Sequence, residues 1–328
     1  MQKEKGKRQN GGTRSSRFSH FSFSLFPFAF PPHRHFAFCL LPFALALLPA
    51  CTPPKADPAP PLQLPSYEEL AQRYNANIAA VDQLWARASV KLFYRNQQGK
   101  WKTETGEDSL FMFQRPGRVA LSLGKLGKTA LWAGCDQQRY WLFDLIENRT
   151  AWVGSTAALE GLAPEDYPLP VHPQRLVALL GLTPLDTLVA TDARTVRYDN
   201  GSFVIDAPAQ QLRLWLDPAT ALPRQIILLG DDGQPRIWSK LSGELRVATA
   251  QPPPQETVSD TVSVPRLAAR AELILAGTDG SLTLALRDAT DARADPRQAR
   301  ALSNAFDFDT LTRALRPQHV IDLDEGRE

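Results

Sequence analysis

Residue types that commonly carry out chemistry are few and scattered in this sequence. Of the five histidines, only His172 and His319 lie beyond residue 50. Two isolated imidazoles cannot hold zinc without several scattered carboxylates. The chain contains no Gly-x-Ser-x-Gly elbow, no His-Glu-x-x-His sequence and no Cys-x-x-Cys pair. The sequence therefore predicts no catalytic site, no metal and no cofactor, and we expect that the protein is not an enzyme.

One segment superficially resembles a phosphate-binding loop, and it reads GKLGKT at residues 124–129. The P-loop pattern requires a glycine where Ser122 stands, and it requires a helix after the loop. Residues 130–135 have the pattern of a strand instead. This segment is therefore predicted to be a hairpin turn.

The strongest chemical signal is a cysteine that follows an apolar run. Residues 36–50 are apolar throughout, and the run is shorter than the roughly 20 residues of a membrane-spanning helix. Its end, Leu48-Pro49-Ala50-Cys51, resembles the lipobox of bacterial lipoproteins, whose cysteine thiol is acylated and becomes the new N-terminus. We expect residues 1–50 to be a lipoprotein signal peptide and Cys51 to be the lipidation site. The alternatives are a plain secretory signal with an incidental cysteine and a buried core helix.

A proline-rich tract follows this cysteine. Residues 51–65 contain six prolines, which favour an extended tether between a lipid anchor and a body at residues 66–328. Cys39 would leave with the signal peptide, so an acylated Cys51 would leave Cys135 without a disulfide partner.

The charge balance argues against nucleic acid as a partner. Seven of the 37 basic residues and one of the 35 acidic residues lie in the first 50 positions, which leaves 30 against 34 in the remainder. A mildly acidic body has no surplus of cations to neutralise phosphates.

Apolar periodicity predicts a helix followed by many strands. Ser66 and Glu69 form a capping box, and apolar residues at helical spacing predict an amphipathic helix over 66–86. The apolar period then changes to two over residues 88–94, 118–123 and 211–216, with hairpin turn signals between such runs. Further strands are predicted at 270–276 and 281–288, and short helices at 174–182 and 307–315. We predict a mainly β (α+β) fold with one large antiparallel sheet.

Large apolar side chains lie on both faces of several predicted strands, as in the run Tyr140-Trp141-Leu142-Phe143. One interpretation is that helices cover one face and an ordinary core fills the other. The other is a curved sheet whose concave face, with the helices at 66–86 and 174–182 as its lid, encloses an apolar cavity for acyl chains. For that cavity we predict lining by Trp85 and Leu179 on the two lid helices and by Leu92, Leu121, Leu123, Leu142, Leu214 and Leu216 on the strands. The choice of face depends on register, because a slip of one residue exchanges the two faces.

Three segments resemble a known family. They are FQRPGRVAL at 113–121, YWLFD at 140–144 and LWLDPATALPR at 214–224. Together with the preceding helix they are similar to the LolA/LolB-like superfamily of periplasmic lipoprotein carriers and outer-membrane lipoprotein receptors. The resemblance covers about residues 66–246, and residues 250–328 match it less clearly. It implies that the large curved antiparallel sheet forms a half-open barrel with a helical lid, which binds lipid or lipoprotein acyl chains without catalysis.

The resemblance also implies a cellular location and leaves two functions open. An anchor at Cys51 is closer to the receptor type, whose protruding apolar loop is expected here near residues 159–169. Thr52 after the cysteine implies the outer membrane, with the body facing the periplasm. We expect an envelope lipoprotein that takes part in lipoprotein transport or localisation. Because relatives with this fold also act as sensors, the alternative is a sensor or scaffold that binds other envelope proteins.

Overall fold

A computed structural model of the chain describes residues 63–95, 99–146, 149–156, 171–187, 195–249, 264–276 and 280–325. The predicted signal peptide, the lipidation site Cys51, most of the tether and the loop near 159–169 lie outside the described residues. The described residues belong to one unit, Leu62–Glu328.

Strands make up most of the described chain. Their bounds are β1 Gln83–Arg95, β2 Trp101–Gln114, β3 Arg118–Lys125, β4 Lys128–Cys135, β5 Arg139–Asp144, β6 Thr150–Ser155, β7 Thr195–Asp199, β8 Ser202–Ala207, β9 Leu212–Leu216, β10 Pro223–Leu229, β11 Pro235–Ser242, β12 Leu245–Arg246, β13 Arg266–Leu267, β14 Arg270–Leu275, β15 Ser281–Asp291 and β16 His319–Asp322. The helices are α1 Tyr67–Ala79, α2 Pro173–Leu179, α3 Pro296–Ala305 and α4 Phe308–Leu315. None of the helices in the described part of the chain is long and apolar enough to cross a membrane.

Fourteen of the described strands form one sheet that does not close on itself. Its order is β16-β6-β5-β4-β3-β2-β1-β15-β14-β11-β10-β9-β8-β7, with β16 and β7 at the two edges. The predicted fold class is therefore confirmed, with one exception to the antiparallel pattern. Strand β16 pairs with β6 in parallel, because the chain returns to this edge through two helices instead of a hairpin.

The period of two assigns the strand residues to an inner and an outer face. The inner face includes Leu92, Leu121 and Leu214, and the register places Phe111, Leu121 and Ala133 side by side on it. The helices α1 and α2 pack on this face, and their buried side chains share its apolar cluster. They are the helical lid of the fold, and we call them the lid.

The outer face of β2–β6 is covered by the two C-terminal helices. In α4, the Phe308 ring lies 6.1 Å from that of Trp141 and 5.5 Å from that of Phe143, measured between centroids. In α3, Leu302 packs in the same cluster as Met112. The large apolar side chains on both strand faces are thus buried by two separate pairs of helices.

The first helix is shorter than the 66–86 that the sequence predicted, and this moves Trp85. The apolar spacing of Val81 and Trp85 continues the helical period by coincidence, but α1 ends at Ala79 and β1 begins at Gln83. Trp85 therefore lies on a strand, on the outer face, where it packs beside Met112. Its predicted place on a lid helix is wrong.

The segment that resembled a phosphate loop is a hairpin turn, as predicted. It joins β3 to β4, and Leu126 and Gly127 both have positive φ, as a tight type I′ hairpin requires. Only glycine fits at position 124, just before the turn, because a Cβ there would clash with the carbonyl of Asp108.

Candidate functional site: the inner face beneath its lid

Both ends of α1 are held by hydrogen bonds. At the N-terminus the Ser66 hydroxyl accepts from the backbone N–H of Glu69 at 3.1 Å, as the capping box predicts. At the C-terminus the Arg115 guanidinium donates to the carbonyls of Ile78 at 2.6 Å and Val81 at 3.1 Å. The Ile78 carbonyl lies in the last turn of the helix, where it also accepts from the backbone N–H groups of Ala80 and Val81, and Val81 follows the helix. The Arg-Pro-x-Arg segment that carries the family resemblance therefore holds the end of this helix.

A second motif segment holds α1 from the side. Arg73 of α1 donates to the carbonyls of Pro218 and Ala219 at 2.9 and 3.0 Å. The Asp217 carboxylate orders this turn by accepting hydrogen bonds from the turn that follows it and from Arg224. Burial raises the pKa of Asp217, but these hydrogen bonds outweigh burial and the net pKa lies below the ordinary value. The Asp-Pro-x-Thr segment is thus a structural turn.

The same helix also fixes the chain that follows α2. The Asn75 amide both donates to the carbonyl of Leu185 and accepts from its N–H, each at 2.8 Å. The hydroxyls of Tyr74 and Tyr67 donate to the carbonyls of Thr183 at 3.1 Å and Asp186 at 3.0 Å. The polar side chains of α1 therefore form a fixed frame at one side of the lid.

The second lid helix, α2, is shorter and is held mainly by apolar contacts. Its N-cap is His172, whose Nδ1 accepts from the N–H of Gln174 at 3.2 Å, and Pro173 opens the helix. The His172 ring meets the Tyr140 ring edge-on at 4.6 Å. Burial, together with the positive charge of Arg175, lowers the pKa of His172 to about 3. The imidazole is therefore neutral at physiological pH, as a cap acceptor must be.

An apolar void lies between α2 and the inner face. It has a volume of about 20 Å³, which is room for about one water molecule. Every lining residue is apolar, so a water there would find no polar side chain to bind. This void is too small for an acyl chain, and the side chains of the inner face and the lid around it are buried in one apolar cluster. The lining residues are Val90, Leu92, Leu121, Leu123, Leu131, Ala133, Val171, Pro173, Leu176 and Leu282.

The structure brings three of the eight predicted cavity residues to this void, namely Leu92, Leu121 and Leu123. Four others, Leu142, Leu179, Leu214 and Leu216, are buried in the same inner cluster but do not border the void. Trp85 is on the outer face, as described above.

Several residues around the void were not predicted. On the strands, Val90 alternates with Leu92, and Ala133 pairs with Leu121, so the period of two could have assigned both to the inner face. Leu176 could have been predicted from the apolar face of α2. Nothing local in the sequence indicates that β15 lies beside β1, so the place of Leu282 could not be predicted.

Reactive groups do not cluster in the described residues. No group of three or more His, Cys, Asp or Glu side chains among them could hold a metal ion. Cys135 is buried, its thiol donates to the carbonyl of Gly117 at 3.7 Å, and burial raises its pKa to about 12. A thiol held protonated in this way is a poor nucleophile.

No protein-family model matches the chain, and no curated protein matches it in sequence. Among solved structures, it is similar to a putative outer membrane lipoprotein-sorting protein domain from Vibrio parahaemolyticus. That match has 12% identity and a TM-score of 0.37, and it covers 68% of this chain and 90% of that chain. A LolA superfamily protein from Nitrosomonas europaea matches at 8% identity and a TM-score of 0.36, over 68% of this chain and 91% of that chain.

A DUF1329 family protein from Desulfovibrio piger also matches the chain. Its identity is 9% and its TM-score 0.39, and the match covers 70% of this chain and 96% of that chain. The three similarities concern the fold alone.

Proposed function

We propose that the protein is a membrane-anchored envelope lipoprotein whose body binds lipid or lipoprotein acyl chains on its inner face. It would take part in lipoprotein transport or localisation and would perform no catalytic step. The observation that carries the proposal is the apolar inner face covered by a lid of two unequal helices, with an apolar void under the smaller one.

An acyl chain would have to enter by displacing α2. The larger helix α1 is held by side-chain hydrogen bonds along its length, whereas α2 has seven residues and buries Leu176, Val177 and Leu179. Each apolar side chain that α2 lifts off the core exposes surface at about 25 cal/mol per Å². An acyl chain that occupied the vacated space would restore that burial. Ligand binding and movement of α2 are therefore coupled in the proposal.

Native mass spectrometry of the body, purified from an envelope extract without its lipid anchor, tests the cargo. Co-purified lipid or acylated peptide would support the proposal. So would a loss of lipid uptake when α2 is crosslinked to the sheet before lipid is added. An empty chain that also fails to take up added lipid would overturn it.

The anchor is tested separately at Cys51. Metabolic labelling with a palmitate analogue should mark the protein, and Cys51→Ala should abolish the label and release the protein from membranes. A wild-type protein that is recovered in the soluble fraction with a free thiol at Cys51 would contradict the lipoprotein part of the proposal. Outer-membrane placement follows from Thr52 and is tested by separating the two membranes of the labelled cells.

A second candidate function is favoured by the size of the void. At about 20 Å³ the inner face beneath the lid is almost filled, as in a domain that carries no cargo. The protein would then be a sensor or scaffold that binds other envelope proteins with its outer surfaces. Crosslinking in intact cells that captures one envelope protein, from a body without lipid, would favour this candidate over the first.

A further inference from the structure

Four neighbouring strands carry exposed charges on the outer face, beside the part of that face that α3 and α4 cover. They are β11, β14, β15 and β1, which follow one another in the sheet. Alternate residues of each strand are buried in the inner cluster, so the intervening residues lie on the outer face. Within residues 87–91, 240–242, 270–272 and 283–287 the outer face carries five exposed cations and one exposed anion, although the body is acidic overall. The cations are Arg87, Lys91, Lys240, Arg270 and Arg287, and the anion is Glu272.

Ala285 lies in the middle of these charges. Its direct partners across the sheet are Arg270 on β14 and Ser89 on β1. Direct partners have Cβ atoms about 5 Å apart and diagonal partners about 7–8 Å, which is within reach of long cationic side chains. Because Ala285 and Ser89 are small, the middle of the surface is low and its borders are long side chains. We call this region the Ala285 surface, and its members are Ala285, Ser89, Thr283, Arg87, Lys91, Arg270 and Arg287.

Two cations of the Ala285 surface oppose each other directly. Arg87 pairs with Arg287 across β1 and β15, and like charges in that position destabilise a sheet. The Arg287 guanidinium donates to the backbone carbonyl of Glu107 at 2.8 Å, which positions the group but supplies no negative charge. The stability of the sheet therefore does not explain this pair of arginines.

The other charges leave the Ala285 surface cationic. Glu272 lies directly opposite Lys240, so one anion and one cation offset each other on the β11 side. In the part of the chain that the structure describes, no ion pair joins Arg87, Lys91 or Arg270 to a carboxylate. These charges are uncompensated within the described fold and are available to an external anion.

We propose that the Ala285 surface binds the phosphate groups of anionic lipid headgroups at a membrane surface. A phosphate above Ala285 would have Arg270 on one side, Arg87 and Arg287 on a second and Lys91 on a third, and guanidinium groups bind phosphate in a bidentate manner. Cations around one point suit a headgroup, whereas an extended acidic peptide would place its carboxylates in a line, about 7 Å apart on one face. The contact would orient the anchored body on its membrane. This inference rests on the envelope location proposed above, but not on the cargo of the inner face.

Vesicle flotation of a chain that begins at Thr52 and carries no acyl group tests the site. Such a chain retains the core, since the apolar clusters of the described residues all lie between residues 67 and 323. We expect binding to vesicles of phosphatidylcholine with about 30% phosphatidylglycerol, a loss of binding on addition of salt, and little binding to phosphatidylcholine alone.

Removal of two cations should weaken this binding. Each cation near the surface contributes about a fivefold change in affinity, so Arg87→Gln with Arg270→Gln should weaken binding about 30-fold. The matched control is Lys128→Gln with Arg246→Gln, which removes two exposed cations from β4 and β12 and should have little effect. The melting temperature of the first pair should be unchanged or higher, since the repulsion between Arg87 and Arg287 is relieved.

A second variant places a negative charge in the middle of the surface and leaves every cation present. Ala285→Glu should abolish binding to the anionic vesicles, whereas Ala219→Glu, at an exposed turn between β9 and β10, should not. Uptake of a fluorescent fatty acid by the inner face should be the same in all four variants as in the wild type, which separates this test from that of the cargo.

Three results would overturn the proposal. The first is a folded wild type that does not bind anionic vesicles, and the second is an equal loss of binding in the test and control variants. The third is a different anion: release of the vesicles by millimolar inorganic phosphate at constant ionic strength, or capture of an acidic protein through the Ala285 surface in place of lipid.

Discussion

Arg115 joins two distant parts of the chain. From the turn between β2 and β3 its side chain donates two hydrogen bonds to the carbonyls of Ile78 and Val81, and its backbone N–H donates to the carbonyl of Asp82 at 3.0 Å. Hydrogen bonds that involve a charged group are worth about 1.5–3 kcal/mol each, and the first two carbonyls would be left without this partner if the side chain were removed. The arginine of the motif thus helps to hold the lid.

We predict that Arg115→Ala lowers the free energy of unfolding by about 2 kcal/mol. Chemical denaturation monitored by tryptophan fluorescence measures the change. Arg246→Ala, at an arginine whose side chain is 73% exposed, is the control and should change stability by less than about 0.5 kcal/mol. Equal stability of the two variants would show that the Arg115 hydrogen bonds contribute nothing.

His172 gives the fold a dependence on pH in a defined window. Its pKa of about 3 in the fold lies below the ordinary 6.5, so the unfolded chain takes up a proton that the folded chain does not. Stability is therefore lost as pH falls from 6.5 towards 3, by up to about 1.4 kcal/mol per pH unit. The carboxyl groups with lowered pKa values, such as Asp206 and Asp217, destabilise the fold as pH falls below their ordinary pKa of 3.8, so their effect overlaps only the lower end of this window.

We predict that His172→Asn removes most of the loss of stability between pH 6 and pH 4.5. Asparagine can still accept the N-cap hydrogen bond of α2, but it does not titrate. Denaturation curves at several pH values measure the slope, and His319→Gln, at an exposed position on β16, serves as the control. If His172→Asn retains the wild-type slope in this window, the buried imidazole is not its source.

At the scale of single residues, the sequence indicates burial better than it indicates the face or the partner. Leu92 and Leu121 were assigned to the inner face because each belongs to a run with a period of two. Trp85 was misplaced because residues 66–86 fit a helical period until β1 begins, and the hydrogen bonds that hold the end of the helix come from Arg115 in another element. Contacts between distant residues carry no local signal.

The two lid helices differ in how they are held, and this difference concerns whole elements. Side chains of α1 donate hydrogen bonds to the carbonyls of three separate segments. Helix α2, by contrast, begins at Pro173 and is held mainly by apolar contacts. Local opening costs least where buried contacts are few and hydrogen bonds are short-range. The lid should therefore open at α2 while α1 stays in place.

We predict that the amides of residues 176–179 exchange with deuterium roughly tenfold faster than those of residues 74–78 in the folded protein. Hydrogen exchange with peptide-level mass spectrometry measures both helices in one sample. Addition of a bound lipid should slow the exchange of α2 most. Equal protection of α1 and α2 would indicate a lid that opens only with the whole domain.

Element boundaries follow from sequence where a cap or a turn marks them. The capping box at Ser66 and the N-cap Asp307 identify the starts of α1 and α4, and positive φ at Leu126 and Gly127 fits the β3–β4 turn. Helix α3 was not predicted although Asp295 and Pro296 are a usual start, because Leu302 is its only large apolar residue and one such residue defines no period. The contribution of α3 to the core depends on β2, whose outer face it covers.

At the scale of the whole molecule, alternating strands and hairpin turns were sufficient to predict one large antiparallel sheet, whereas its open form and helical lid were implied by the family resemblance. They could not predict how completely the lid fills the inner face, because packing depends on the order of the strands. Strand β1 lies between β2 and β15. Its pairing with β15 joins residues that are far apart in the sequence, such as Leu92 and Leu282, which are 190 positions apart. The volume beneath the lid follows from that long-range pairing and not from the composition of any segment.

The last prediction compares two buried leucines that differ in their distance from the void. Leu121 borders it, whereas Leu214 lies in the packed part of the same cluster, and both are at most 5% exposed. A glutamine in a packed core loses burial and leaves an amide without partners, at a cost of about 3 kcal/mol or more. Leu214→Gln should suffer this cost in full. Leu121→Gln should lose less, because a side chain that borders a void makes fewer packing contacts to give up.

Thermal melting and displacement of a fluorescent fatty acid, measured on the same samples, test both expectations. If acyl chains enter beside α2, Leu121→Gln should weaken probe binding more than Leu214→Gln at temperatures where both are folded, since a polar group would then face the ligand. The reverse order of stabilities would contradict the packing argument. A wild type that binds no probe, with both variants equally destabilised, would mean that the inner face is an ordinary filled core. The protein would then act through its outer surfaces, as the second candidate function requires.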